Sequence, residues 1–137
     1  MKFLLVRILL FVCIAGISLV VPGMASAEAG QTAANSDYRH LEGRWIRPDG
    51  GYVLELKDIQ KDGSLKASYF NPRSIKVHQA KWSREKGMLN LFVELRDVNY
   101  PGSTYTVQYD PKSGRLKGTY FQAMEKQTYT IEFLRVQ

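Results

Sequence analysis

Cysteine is almost absent from this chain of 137 residues: Cys13 is the only one, and it falls inside an apolar stretch near the N-terminus. Everything after it lacks a thiol, which excludes a disulfide framework, a thiolate metal site and a cysteine nucleophile. Histidine is nearly as scarce. His40 and His78 are the only two, and neither stands in a recognisable nucleophile or ligand pattern, so neither catalysis nor metal binding is expected. Glu55, Glu94 and Glu132 alternate with apolar residues and read as solvated strand faces rather than an acid/base pair. No run of basic residues suits nucleic acid, and no stretch repeats apolar residues at the helical period.

The one long apolar run covers residues 8–21, about 14 residues and short of the roughly 20 a membrane-spanning helix needs. Lys2 and Arg7 precede it, Pro22-Gly23 breaks it, and "ASA" (residues 25–27) offers the small residues a signal peptidase reads. Residues 1–27 are therefore expected to be a cleaved secretory signal, leaving a periplasmic or secreted protein with no stable membrane span. "EAGQTAANSD" is small and polar, and residues 28–38 read as a flexible leader. Residues 39–137 then form a single domain. Without Lys2 and Arg7 the exported part carries seventeen basic and thirteen acidic residues, a mild and scattered formal excess of +4.

From Leu41 onward the pattern alternates with period two and is punctuated by turn signals. The segments are "LEGRWI", "GYVLELK", "SLKASYF", "IKVHQAKWS", "MLNLFVELRD", "STYTVQYD", "RLKGTYFQA" and "QTYTIEFLRV", separated by Asp-, Asn-, Pro- and Gly-rich turns. An all-β, antiparallel up-and-down meander of about eight strands is expected. Closure into a small barrel would remove its exposed edges. Each strand offers one apolar face: Leu89, Leu91, Val93 and Leu95 on one, Tyr105, Val107 and Tyr109 on another, Tyr129, Ile131 and Phe133 on a third.

One phrase occurs twice, "DGSLKASYF" (residues 62–70) and "SGRLKGTYF" (residues 113–121). In both, large, small and large residues share a face: Leu65, Ala67 and Tyr69, then Leu116, Gly118 and Tyr120. A missing side chain in such a triplet lets a strand bend through a tightly curved wall by leaving room for the opposite strand. The upstream strands also match, "GYVLELKD" against "STYTVQYD". Two related hairpins, or two strands meeting the same packing demand independently, would both produce this.

"LEGRW", a glycine-containing turn at Gly50, and "DGSLKASY" together resemble the opening of avidin-type barrels and, more loosely, of lipocalins. The resemblance covers about a third of the exported domain and implies a calycin-like barrel. In it Gly43 turns the chain into the first strand, Trp45 plugs one end, and Tyr69 matches the tyrosine that donates a hydrogen bond to the ligand. The family's ligand-contacting asparagine and serine fall at Arg47 and Gly51. Trp82, the only other tryptophan, does not match the later tryptophans that sandwich biotin. The resemblance therefore implies the barrel and not biotin.

Tyr52, Tyr69, Tyr105, Tyr109, Tyr120 and Tyr129 are candidates to point into a common interior, where each ring would be buried and each hydroxyl would need a partner. Arg47, Arg73 and Arg96 lie near strand ends and would ring a barrel mouth. The expected function is non-enzymatic binding of a small molecule inside the barrel, with Tyr69, Tyr120, Tyr105 and Arg47 as the site and no cofactor. The alternative is a protein-interaction or inhibitor module that meets its partner through Phe70, Phe92 and Phe121 on the outer face.

Overall fold

The computed structural model describes residues 37–137. The expected signal segment and residues 28–36 of the expected leader lie outside the described residues. A short 3-10 helix (Asp37–Leu41) leads into nine strands: β1 (Gly43–Ile46), β2 (Val53–Lys57), β3 (Lys66–Asn71), β4 (Arg73–Ile75), β5 (Val77–Glu85), β6 (Met88–Asp97), β7 (Tyr100–Asp110), β8 (Arg115–Gln122) and β9 (Gln127–Arg135). All pair antiparallel in one sheet of order β4-β3-β2-β1-β9-β8-β7-β6-β5. The meander curls into a nearly closed barrel, compatible with a calycin-like fold. Alternation sets the core: Leu54, Leu56, Leu89, Leu91, Val93, Leu95, Tyr105, Val107, Leu116, Ile131 and Phe133 are all buried, while their chain neighbours face outward.

The ninth strand arises where the sequence reads as one, in "IKVHQAKWS". At Lys76 the backbone N–H donates to the Asp97 carboxylate at 2.7 Å, and its carbonyl accepts from Arg96 N at 3.0 Å. Both main-chain groups are drawn to the end of β6, so β4 stays on β3 while β5 transfers to β6. That corner carries the chain across the gap between the two ends of the sheet. Farther along the seam, Trp82 N donates to Gly63 O at 2.9 Å beside the isolated Ser64–Lys81 bridge.

The repeated phrase corresponds to two equivalent hairpins, β2–β3 and β7–β8. Leu54 faces Tyr69 and Leu56 faces Ala67; Tyr105 faces Tyr120 and Val107 faces Gly118. Each hairpin also carries a Lys–Asp ion pair near its turn, Lys66–Asp58 at 2.7 Å and Lys117–Asp110 at 2.8 Å, although the two aspartates are not at equivalent positions. Two expectations need correction. Matching "GYVLELKD" to "STYTVQYD" aligns Val53 with Tyr105, but Leu54 is the equivalent residue, because a one-residue slip would turn the core face outward. The room left by Gly118 is not for the opposite wall. A Cβ there would meet Thr106 O at 2.1 Å and Val107 Cα at 2.8 Å, both on the paired strand β7.

One end of the barrel is plugged. Trp45 is fully buried and donates from Nε1 to Leu41 O at 2.9 Å, which ties the 3-10 helix across the opening. Tyr38 is buried and stacks on Trp82 with ring centroids 4.9 Å apart, so it packs with the barrel. Gly43 has φ +124°, and a Cβ on it would come within 2.8 Å of Arg135 Nη1. Glycine at this position therefore serves both the turn and the close approach.

Candidate functional site: an aromatic cavity at the open end

At the other end the turns β1–β2, β3–β4, β6–β7 and β8–β9 surround a cavity of about 530 Å³. Arg47, Tyr52, Tyr69, Asn71, Tyr100 and Tyr120 line it, with Asp49, Arg73, Glu125 and Tyr129 among the rim residues. The alternation that turns Trp45 inward also turns Arg47 inward two residues later, past the end of β1. There the chain leaves the sheet: Arg47 N donates to Tyr52 O at 2.9 Å and Gly51 N donates to Arg47 O at 2.8 Å. Gly51 accepts φ +69° to make that turn.

Arg47 is buried, and a buried charge needs a counter-charge and full hydrogen bonding. Its Nε donates to Asp49 Oδ1 at 2.9 Å, and Nη2 donates to Asp49 Oδ2. Nη1 donates to the Tyr105 hydroxyl at 2.9 Å. The guanidinium carbon lies 4.7 Å from the ring centroid of Tyr52 and 5.4 Å from that of Tyr120, positions that favour a cation over the aromatic faces. Burial works against the Arg47 charge, but Asp49 and Tyr105 outweigh it and hold its pKa above the ordinary value. The hydrogen bonds from Arg47 hold the Asp49 carboxyl below the usual carboxylate range.

A hydroxyl chain continues inward. Tyr105 OH and Tyr69 OH lie 2.8 Å apart, and the Tyr105 ring stacks on Tyr120 with centroids 4.5 Å apart. Burial pushes the Tyr105 phenol up to about 12, with its bonds to Tyr69 and Arg47 pulling the other way. Tyr69 and Tyr120 are raised for the same first reason, burial. At the side, Asn71 Nδ2 donates to Tyr100 OH at 2.6 Å. No buried side-chain polar atom among the described residues lacks a partner, so the cavity wall is held in place by its own hydrogen bonds.

All four residues expected at the site converge here, in two different positions. Arg47, Tyr69 and Tyr120 line the cavity. Tyr105, 0% exposed, stands behind the lining and joins Arg47 to Tyr69. Of the other tyrosines, Tyr52 and Tyr129 reach the cavity, whereas Tyr109 lies at the plugged end, edge-on to Trp45. Arg73 is at the rim, but Arg96 turns along the wall to Glu94 at 2.6 Å. Asp49, Asn71 and Tyr100 also line the cavity, although in the sequence they stand only in the turns between the strand segments. The "PDGG", "NP" and "NYPG" signals locate bends without showing which way their side chains point.

The three outer phenylalanines stand on strands that are not neighbours, β3, β6 and β8. Thr104 and Thr106 occupy the wall between Phe92 and Phe121, and Lys81 Nζ sits 5.4 Å from the Phe92 ring centroid. They do not adjoin as one patch. His40 is in the 3-10 helix near Tyr109, and His78 is on the outer side of β5, so the two histidines are not brought together. Comparison of the chain with protein-family models, with curated proteins and with solved structures finds no match.

Proposed function

We propose that the protein is an exported, non-enzymatic binding barrel, avidin- or lipocalin-like in design, that holds a small molecule in the open-end cavity. The observation that supports this is the composition of the wall. Arg47, Tyr52, Tyr69, Tyr100 and Tyr120 surround about 530 Å³, within the range typical of small-molecule sites. Their rings supply flat apolar area and their hydroxyls and guanidinium supply a few directed polar contacts. All stand on or beside barrel strands already locked by packing, so ligand binding would cost little ordering.

Native mass spectrometry of the exported domain, purified gently from its own compartment, tests this. The expected result is a co-purifying compound of defined mass, lost in the Tyr69→Phe variant. A clean apo mass together with a stoichiometric protein partner would overturn it in favour of an interaction module.

A further inference from the structure

We propose that Asp49 is a resident stand-in for a ligand carboxylate, and that the cavity takes a small, flat monoanion which displaces Asp49 from Arg47. This rests on the reading that the cavity holds a small molecule.

The first argument is geometric. Asp49 covers the Nε/Nη2 edge of Arg47, the edge that a planar carboxylate engages through two parallel hydrogen bonds. Arg47 and Asp49 both line the cavity, so a ligand carboxylate at that edge would occupy the position Asp49 now fills.

The second argument concerns cost. The Arg47 side chain is 8% exposed and Asp49 is 55% exposed. The arginine is thus committed to having an anion beside it, whereas Asp49 is already half in water and loses little on full hydration. Asp49 sits on a turn that includes Gly50 and Gly51, and a Cβ on Gly51 would meet nothing within 4 Å. Beyond that turn lies open space, an outer groove of about 650 Å³ bordered by Pro48, Asp49, Lys117, Thr119, Thr130 and Glu132. Asp49 therefore borders both the cavity and the groove, and has somewhere to withdraw.

The third argument is charge balance. The charged lining residues are Arg47, Arg73, Asp49 and Glu125, two of each sign. With Asp49 withdrawn, one positive charge is left over, which a single carboxylate neutralises. The tyrosine rings around it set the preference for a flat body.

Two probes of nearly equal shape separate the charge from the rest: 4-hydroxybenzoate and 4-hydroxybenzamide, titrated calorimetrically into the exported domain. The benzoate is expected to bind about tenfold tighter than the amide, and Asp49→Asn should widen the gap about tenfold further by tightening only the benzoate. A wild-type readout needs no variant. By NMR titration, the depressed Asp49 pKa should rise toward the ordinary carboxylate range when benzoate is bound and stay depressed with the amide. If the amide binds at least as well as the benzoate, or Asp49 stays depressed under saturating benzoate, the inference is wrong while the cavity remains a binding site. If neither probe binds at millimolar concentration, both readings fall.

Discussion

The guanidinium of Arg135, the last residue of the last strand, lies 4.3 Å from the ring centroid of Trp45, in the first. From there it donates to the carbonyls of Glu42, at 2.6 Å, and His40. These are carbonyls at and just beyond the 3-10 helix, so one side chain ties the last strand to the first and to the helix at the plugged end. Arg135 is exposed and water can reach the two carbonyls, so Arg135→Leu should cost about 0.5–1 kcal/mol, chiefly through the lost cation–π contact. A denaturant midpoint lowered with unchanged slope checks this. An unchanged midpoint would mean that solvent replaces the arginine without loss.

Gly118→Ala should be the most damaging small substitution in the wall. Its Cβ would press on main-chain atoms of β7 at 2.1 and 2.8 Å, and a paired backbone cannot retreat without breaking the ladder. A loss of about 3 kcal/mol or more is expected, at the upper end of overpacking effects. Gly87→Ala is the control. Its φ of +79° is unfavourable, but nothing lies within 4 Å, so about 1–2 kcal/mol is expected. Thermal melts of the two variants should separate clearly.

Tyr105→Phe and Tyr69→Phe should separate stability from binding. Without its hydroxyl, position 105 leaves Arg47 Nη1 and Tyr69 OH short of a partner in a buried setting, at about 1–3 kcal/mol. Tyr69→Phe removes the far end of the same chain, at the cavity wall, and should cost less stability while weakening ligand binding about tenfold. Equal effects of the two on binding would argue against Tyr69 as the contacting residue.

The dependence on pH should be lopsided toward alkali. Tyr105 titrates near 12 in the folded protein against about 10 when unfolded, and Tyr69 and Tyr120 are also raised. Above the unfolded value the unfolded chain has lost protons that the folded one keeps. Stability is thus full below about pH 10 and falls as pH rises through the folded values. Absorbance titration should show these phenols ionising together with unfolding rather than before it.

At the acid end the sign reverses. Lys117, Ser113 and the Lys112 amide hold Asp110 well below its ordinary range, and Lys66 lowers Asp58. Their contribution is present above about pH 4 and is lost as pH falls through the depressed folded values. Asp58 is exposed and Asp110 partly so, and the loss should be small. Asp110→Asn should flatten the acid limb of a stability–pH curve without moving the alkaline one.

Much of the wall was legible because a half-buried strand has a strict period of two. "MLNLFVELRD" places Leu89, Leu91, Val93 and Leu95 inward with no knowledge of their partners, and all four are buried. The roles of Gly43 and Trp45 came instead from the resemblance that "LEGRW" carries, and both residues stand at the plugged end. The break at Lys76 was not legible, since it depends on an Asp97 carboxylate that lies 21 residues away in the chain.

For the site, Tyr69, Tyr105 and Tyr120 were marked by inward parity, but parity carries no depth. It did not distinguish Tyr105, behind the lining, from Tyr69, within it, or Tyr109, at the opposite end. Apart from the break at Lys76, the sequence alone determined where the strand segments run and which face of each is apolar, because those depend on neighbours two residues apart. The tertiary structure decided how high each ring sits, which turns meet at the mouth and that Asp49 covers Arg47. Those follow from strand stagger and from turn side chains, whose directions are set by contacts across the barrel.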